Sequence, residues 1–175
     1  MLDIKELSYE ESRGLISIFE SLEEPVLLST DCVDVEESRA KYIWLIEDMK
    51  KPLGFLSYRL FILPNKIAFI YIVKIYVLGA YRGTSPILFE DRRVSEILFN
   101  EIDKRNVNIL TLESACENLD RYYEGLGFKY NKEISDIFAK VIRTTEQIRY
   151  RKKKDIAIEL SDEEKRMFGG ANNDH

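Results

Sequence analysis

Histidine is almost absent from this sequence, and the shortage bears directly on the kinds of catalysis that are open to it. Among 175 residues the only histidine is His175. No Ser-His-Asp or Cys-His nucleophile system can therefore be assembled inside the domain, and no zinc site with histidine ligands. The composition argues against hydrolases and proteases of those types, and we expect no bound metal.

Cysteine and long apolar runs are also scarce. The two cysteines, Cys32 and Cys116, imply no disulfide scaffold. The longest uninterrupted apolar run, from Ile67 to Val73, is far below the roughly 20 residues that span a bilayer. The first residues are charged and lack the apolar core of a signal peptide. We therefore expect a soluble protein of a reducing compartment, the cytoplasm.

Basic residues are outnumbered, with 26 Lys and Arg against 31 Asp and Glu and a net charge of -5. This balance argues against a general nucleic-acid binder, because duplex affinity depends largely on Lys and Arg that neutralise phosphates. The hydrophobic fraction of 45% is ordinary for a soluble globular protein. The length fits one domain with a substantial core.

Hydrophobic periodicity predicts an α/β (α+β) fold with the element order β-α-α-β-β-β-α-β-α-β-β. The longest apolar strand, 67–78, should be central and covered on both faces. The predicted strands are 2–7, 42–46, 53–61, 67–78, 109–112, 128–130 and 134–142, and the predicted helices are 8–22, 34–41, 85–105 and 118–126.

The seven residues from Val77 to Gly83 lead from the central strand into an amphipathic helix. They resemble the cofactor motif of the GNAT (GCN5-related N-acetyltransferase) superfamily, in which Arg-Gly and glycine-rich backbone follow a strand and open a helix. Backbone N–H groups at such a helix start bind the pyrophosphate of acetyl-CoA. The resemblance implies a cofactor site made by Val77, Leu78, Arg82, Gly83, Thr84, Ser85, Arg92, Arg93 and Asn118.

A second segment, Tyr123 to Phe128, resembles the late Tyr-x-x-x-Gly-Phe segment of the same family. In the family the tyrosine hydroxyl lies near the thioester sulfur and can protonate the departing thiolate. The resemblance therefore implies that Tyr123 is the general acid. The alternative is a packing aromatic whose hydroxyl is satisfied elsewhere. The resemblance covers roughly residues 1 to 142. It implies a GNAT-like acetyltransferase domain with a central mixed, mostly antiparallel sheet of about seven strands flanked by helices.

The connection after Gly83 departs from the family pattern, because residues 84–91 precede the apolar helix face that begins at Val94. Ser85 and Pro86 could be the N-cap and first residue of a longer helix. Otherwise the segment is an insertion, and the phosphate-facing turn is 91–95, in which Arg92 and Arg93 would bind phosphate through their side chains. In both alternatives, fewer glycines line the phosphate-binding turn than in the family pattern.

The remaining candidates follow the strand 109–112. Glu113 is the candidate general base, and its alternative is an exposed strand-end charge. Cys116 stands where the family often has Asn, and it is either a buried, inert thiol or an acyl carrier. Asn118 is either an N-cap or a cofactor ligand.

Residues 143 to 175 differ in composition, with a basic run at 149–154. We expect a C-terminal extension, partly flexible, whose apolar residues at 156–160 could dock on a partner or a second copy. The sequence thus predicts an N-acetyltransferase that moves an acetyl group from acetyl-CoA to a small-molecule or protein amine. The alternative is a GNAT-fold protein without catalysis that serves as a binding or structural component.

Overall fold

A computed structural model describes residues 1–22, 38–113, 117–154, 156–158 and 160–169. The strands of that part of the chain are β1 (Leu2–Ser8), β2 (Lys41–Glu47), β3 (Lys51–Ile62), β4 (Ala68–Val77), β5 (Ile109–Glu113) and β6 (Ile148–Lys152). Its helices are α1 (Tyr9–Leu22), α2 (Val94–Asp103), α3 (Glu117–Gly125), α4 (Lys132–Ile142) and α5 (Asp162–Gly169), with a 3-10 turn at Gly79–Tyr81.

The strands form a six-stranded mixed sheet whose spatial order, β1-β2-β3-β4-β5-β6, follows the chain. The pairs β1–β2, β2–β3 and β5–β6 are antiparallel. A tight turn joins β2 to β3, and its central residues Asp48 and Met49 have left-handed φ values of 52° and 62°. Such turns match the twist of the strands they join, which explains a hairpin here without glycine.

Contacts divide the chain into two compact units, and the first comprises Met1–Arg59 and Ile72–Asn106. In this unit α1 buries Phe19 against Trp44 and Phe55, with ring centroids 6.2 Å and 5.9 Å from that of Phe19. Ser12, also buried, accepts a hydrogen bond of 2.9 Å from the Trp44 indole. The apolar face of α2 is likewise buried. Aromatic and aliphatic burial of this kind is the main source of stability in the unit.

The second unit comprises Leu60–Tyr71 and Val107–His175. Its core is built around Phe138 of α4, whose ring lies 4.8 Å from that of Phe69 and 6.2 Å from that of Tyr150. Asn131 caps α4 by accepting a hydrogen bond of 3.2 Å from the Ile134 N–H. The helix thus has both a start signal and a buried face.

Gly54 allows two backbone segments of the first unit to approach closely. A Cβ atom at this position would lie 2.6 Å from the carbonyl oxygen of Tyr76 and 3.3 Å from a methyl group of Val94. Because the nearer atom belongs to the backbone, a larger residue would force β3 away from the end of β4. Glycine is therefore required where β4 passes into the connection to α2.

The predicted α/β class is confirmed, but the last two predicted strands are not. Residues 134–142 form most of α4, because Ile134, Phe138 and Ile142 recur at helical spacing. Residues 128–130 contribute only an isolated bridge, in which Lys129 and Tyr150 exchange two backbone hydrogen bonds of 2.8 Å and 2.9 Å. The sheet consequently has six strands rather than about seven.

The sheet also continues past residue 142, where we had expected an extension. Ile148 to Lys152 form β6, which pairs with the whole of β5, and Ile148 is fully buried. Ile158 and Leu160 are 2% and 6% exposed within the single chain. The charged alternation of this strand reflects its place at the edge of the sheet rather than in a solvated tail.

The loop predicted at 23–33 and most of the short helix predicted at 34–41 lie outside the described residues. Among the helices that the structure describes, none combines the length and the apolarity needed to cross a bilayer.

Candidate functional site

The connection between β4 and α2 contains most of the predicted cofactor residues. Val77 ends β4, and the buried Leu78 donates its N–H to the carbonyl of Leu53 at 2.9 Å. This bond holds the point where the chain leaves the sheet. Arg82 and Gly83 follow the 3-10 turn and are exposed, and Gly83 has a left-handed φ of 87°. The Arg-Gly pair therefore lies on the surface directly after the strand, as the resemblance implies.

The helix does not begin at Ser85, so the first alternative for this connection is wrong. It begins at Val94, and a small hairpin precedes it, in which Phe89 and Arg92 exchange two backbone hydrogen bonds of 2.9 Å. The two central residues, Glu90 and Asp91, have left-handed φ values of 50° and 63°. Residues 84–91 are thus an insertion, and the hairpin turn brings Arg92 and Arg93 to the helix start.

The insertion is held to the protein by its own contacts. The Ile87 N–H donates to the carbonyl of Ala80 at 2.9 Å. The Phe89 ring stacks on the buried Tyr81 at 5.6 Å with only 6° between the planes. Thr84 and Ser85, both predicted to bind the cofactor, are exposed in the loop that this packing closes. The hairpin is an ordered part of the first unit.

The N-terminus of α2 has the features of an anion site. Its N-cap is Arg93, and none of the described side chains caps the first turn. The Arg93 guanidinium donates to the carbonyl of Gly83 at 2.9 Å, which ties the Arg-Gly pair to the helix start. A Cβ atom on Gly83 would meet nothing within 4 Å, so one side of this loop is open. Uncapped N–H groups and a positive helix dipole favour a phosphate at this position.

Acidic residues partly oppose that tendency. Glu90 and Asp91 occupy the hairpin turn, and an oxygen of Glu90 lies 3.9 Å from the guanidinium of Arg92. A phosphate that bound Arg92 would therefore compete with Glu90 for the guanidinium.

Tyr76 is the penultimate residue of β4. Burial raises its pKa, and the charge of Arg82 opposes this shift in part. Tyr76 is consequently a neutral hydrogen-bond donor at physiological pH.

Tyr123, the predicted general acid, lies in the second unit at the end of α3. It is 7% exposed, and its ring lies 6.2 Å from that of Phe128. The Phe128 N–H donates to the Tyr123 carbonyl at 3.0 Å, and the Gly127 N–H donates to Glu124 at 3.0 Å. With Gly127 at a φ of 93°, this is the Schellman motif that ends many helices. The Tyr-to-Gly-Phe spacing therefore has a structural reason that is independent of the catalytic role predicted for Tyr123.

Glu113, the predicted base, ends β5 and is half-exposed. One of its oxygens accepts a hydrogen bond of 3.3 Å from the hydroxyl of Tyr71 on β4. Sequence reasoning missed Tyr71, which stands in a run of apolar residues. The available signal was its polar hydroxyl inside a strand that should be buried on both faces, since such a group needs a partner.

Two of the predicted residues are not described. Cys116 lies outside the described residues, and the side chain of Asn118, which is in the first turn of α3, lies outside them as well. The choice between N-cap and cofactor ligand for Asn118 stays a prediction. So does the choice between an inert thiol and an acyl carrier for Cys116.

No protein-family model matches this sequence, and no curated protein matches it by sequence. Solved structures do match its fold. An acetyltransferase of the GNAT family from Staphylococcus aureus Mu50 has a TM-score of 0.58 at 16% identity, over 88% of this chain and 100% of that chain. AtaTR bound with AcCoA has a TM-score of 0.56 at 14% identity, over 86% and 92%.

Arabidopsis thaliana Naa50 in complex with the bisubstrate analogue CoA-Ac-MVNAL also shares the fold, with a TM-score of 0.54 at 18% identity, over 75% of this chain and 85% of that chain. At such identities the similarity concerns the fold. The chain has the GNAT fold, with one strand reduced to a bridge and a helix, α4, between that bridge and the last strand.

Proposed function

We propose that this protein is a cytoplasmic N-acetyltransferase that moves the acetyl group of acetyl-CoA to a primary amine by direct attack. The observation that carries the proposal is the start of α2, where Arg93 is the N-cap, Gly83 is open on one side and no described side chain caps the helix. A pyrophosphate would complete this helix start. Proteins of the same fold hold AcCoA or a CoA-linked peptide, which supports this choice of anion.

In this proposal one group of residues contacts the cofactor and another group transfers protons. Val77 and Leu78 offer the backbone that leads to the cofactor, and Arg82, Arg92 and Arg93 offer positive charge. Thr84, Ser85 and Asn118 complete the proposed cofactor set. A carboxylate can take the proton of the attacking amine, and a phenol can give one to the departing thiolate. Glu113 and Tyr123 have those proposed roles.

A second function, that of a GNAT-fold protein without catalysis, is favoured by the inserted hairpin. Glu90 and Asp91 place two carboxylates in the connection that should receive a phosphate, and like charges in proximity repel. A protein that retained the fold only to bind a partner would not need a phosphate site in the connection between β4 and α2. The first function and the second differ in whether acetyl transfer occurs at all.

An acetyl-transfer assay separates the two functions. Acetyl-CoA is incubated with a peptide that has a free methionine α-amine, with an N-terminally blocked lysine peptide, and with spermidine, and free CoA thiol is followed. We expect turnover with at least one of these amines, abolished by heat unfolding. If acetyl-CoA binds and none of the three is acetylated, the binding function becomes the better account.

The variant Arg93→Gln sharpens the assay. It removes the guanidinium at the helix start, and we expect the KM for acetyl-CoA to rise. Arg13→Gln is the matched control, because Arg13 is an exposed residue of α1 that pairs with Glu10 at 3.3 Å. The control should leave the KM for acetyl-CoA unchanged.

A further inference from the structure

Two side chains from neighbouring strands of the second unit form a hydrogen-bonded pair. The hydroxyl of Tyr71 on β4 donates to a carboxylate oxygen of Glu113 on β5 at 3.3 Å. Tyr71 is 6% exposed, whereas Glu113 is half-buried. The phenol is thus held in the protein interior, while the residue that accepts its hydrogen bond retains some exposure to solvent. A donor behind an accessible acceptor fixes the orientation of that acceptor.

The ring of Tyr71 is held by aromatic packing. It lies 6.4 Å from the ring of Phe61, which stacks on Phe69 at 5.6 Å, and Phe69 packs edge-on against Phe138 at 4.8 Å. The strands themselves are tied by a buried hydrogen bond of 2.9 Å from the Thr111 hydroxyl to the carbonyl of Ile70. The donor is therefore rigid before any ligand arrives, as a positioning group must be.

The first unit contains a similar pair with a different environment. There the hydroxyl of Tyr58 donates to Glu6, and the guanidinium of Arg105 lies 3.2 Å from the same carboxylate oxygen. Glu6 is therefore in an ion pair with Arg105 and also accepts a hydrogen bond from Tyr58. Glu113 accepts its hydrogen bond from Tyr71 at the end of β5, and in the register of β5 and β6 it stands opposite Ile148. Each pair thus contains a hydrogen bond from a buried tyrosine to a glutamate.

From this geometry we infer that Tyr71 is a positioning residue for Glu113 in the amine deprotonation step. The inference rests on the proposed acetyltransferase function. In that step the amine nitrogen forms the new C–N bond to the acetyl carbonyl carbon while the C–S bond breaks. The proton released from nitrogen passes to the Glu113 carboxylate, and the departing thiolate takes a proton from Tyr123. Tyr71 keeps its own proton throughout and acts only through Glu113.

A double-mutant cycle in kcat tests this relation with whichever of the three amines is acetylated. Glu113→Gln should lower kcat about 100-fold, because general base catalysis is removed. Tyr71→Phe removes one hydroxyl and should lower kcat about 10-fold, the order expected for a hydrogen bond to a charged group. The double variant should be no slower than Glu113→Gln alone, since Tyr71 has nothing left to position. The KM for acetyl-CoA should be unchanged in all three.

Tyr58→Phe is the matched control, because it removes the same kind of hydroxyl from a buried tyrosine bonded to a glutamate. It should lower the melting temperature without changing kcat. The acidic limb of the pH dependence of kcat, where the proton acceptor must be ionised, should be altered in Tyr71→Phe and unchanged in Tyr58→Phe.

Three outcomes would overturn the inference, and they are distinguishable. If the losses in Tyr71→Phe and Glu113→Gln multiply in the double variant, the two residues act independently while the enzyme function stands. If Tyr58→Phe lowers kcat as much as Tyr71→Phe does, the effect is a general loss of stability. If the wild-type protein gives no calorimetric signal with acetyl-CoA, or acetylates none of the amines, the proposed function fails and this role fails with it.

Discussion

Two segments resemble GNAT motifs, Tyr123 to Phe128 and the connection that follows Val77, and they keep the resemblance to different degrees. In the first, the helix ends at the predicted glycine, and a Schellman turn at Gly127 joins the helix to the bridge. In the second, the Arg-Gly pair and the helix are present, but a hairpin separates them. Arg93 reconnects them through its bond to Gly83.

The difference suggests a general contrast: a motif defined by turn geometry tolerates fewer inserted residues than a motif defined by the ligand that it binds. The Schellman turn fails if one residue is added, because its two hydrogen bonds need a fixed count. A phosphate cradle needs only N–H groups and positive charge near one point. A helix start with a neighbouring arginine can therefore tolerate an insertion that would destroy the other segment.

The largest effect should come from deletion of residues 143–175, which removes the strand that supports the segment from Tyr123 to Phe128. The deletion removes β6, and with it the partner of both β5 and Lys129. The remaining chain would expose the edge of a buried strand, and we expect a truncated protein that is insoluble or lacks a cooperative unfolding transition. Circular dichroism during thermal unfolding measures this. A soluble truncated protein with a sharp transition would show that the second unit does not need its last strand.

Tyr123→Phe tests whether the better-preserved segment also has a chemical role. If Tyr123 protonates the thiolate, kcat should fall about 100-fold while the KM for acetyl-CoA changes little, because the proton is needed only in the transition state. Steady-state kinetics with chemistry shown to be rate-limiting measures the effect. Equal turnover in the variant and the wild type would mean that the tyrosine is there for packing alone.

Arg93→Gln tests whether the helix start in the altered segment still binds a phosphate. We expect the affinity for CoA to fall about 10-fold, the order of one charge-assisted hydrogen bond. A fragment without phosphates, pantetheine, should bind the variant and the wild type equally. Calorimetric titrations compare the two ligands. An equal loss for CoA and pantetheine would place the effect of Arg93 away from the phosphates.

Substitution of Gly83 or Gly127 should have the smallest effects on stability. The two glycines are closely comparable, because their φ values are 87° and 93°. Alanine at either should cost about 1 kcal/mol for the left-handed backbone. Gly127→Ala should cost more than Gly83→Ala, since its Cβ would lie 3.2 Å from the side chain of Arg151, whereas the Cβ at Gly83 would meet nothing within 4 Å. Urea unfolding ranks the two. Gly83→Ala alone should weaken acetyl-CoA binding, and a reversed pattern would contradict the assignment of the two segments.

The order of the elements up to β5 could be predicted from hydrophobic periodicity, but the elements after Phe128 could not be assigned correctly from their composition. The segment 134–142 is rich in isoleucine, which favours a strand, while the spacing of Ile134, Phe138 and Ile142 and the cap at Asn131 specify a helix. Spacing was the better guide there. In β6 three charged residues out of five hid an edge strand inside a basic run.

The candidate site could be predicted only where its residues are close together in sequence. Arg82, Gly83, Arg92 and Arg93 lie in one connection and could be proposed from the sequence. The hairpin between them could not, because its left-handed turn contains neither glycine nor asparagine. The pair of Tyr71 and Glu113 joins residues 42 positions apart. Such a contact depends on which strands are neighbours and in what register, and no local pattern specifies that.

The central claim is that the helix start at Val94 binds acetyl-CoA despite the inserted hairpin, and a calorimetric titration of the wild-type protein with acetyl-CoA tests it most directly. We predict saturable binding with a Kd between about 1 μM and 1 mM, the range in which enzymes commonly bind their substrates. A rise in melting temperature should accompany it, since a ligand that binds only the folded state stabilises that state. No heat and no thermal shift at millimolar acetyl-CoA would contradict the claim and would leave the GNAT fold as a scaffold for binding.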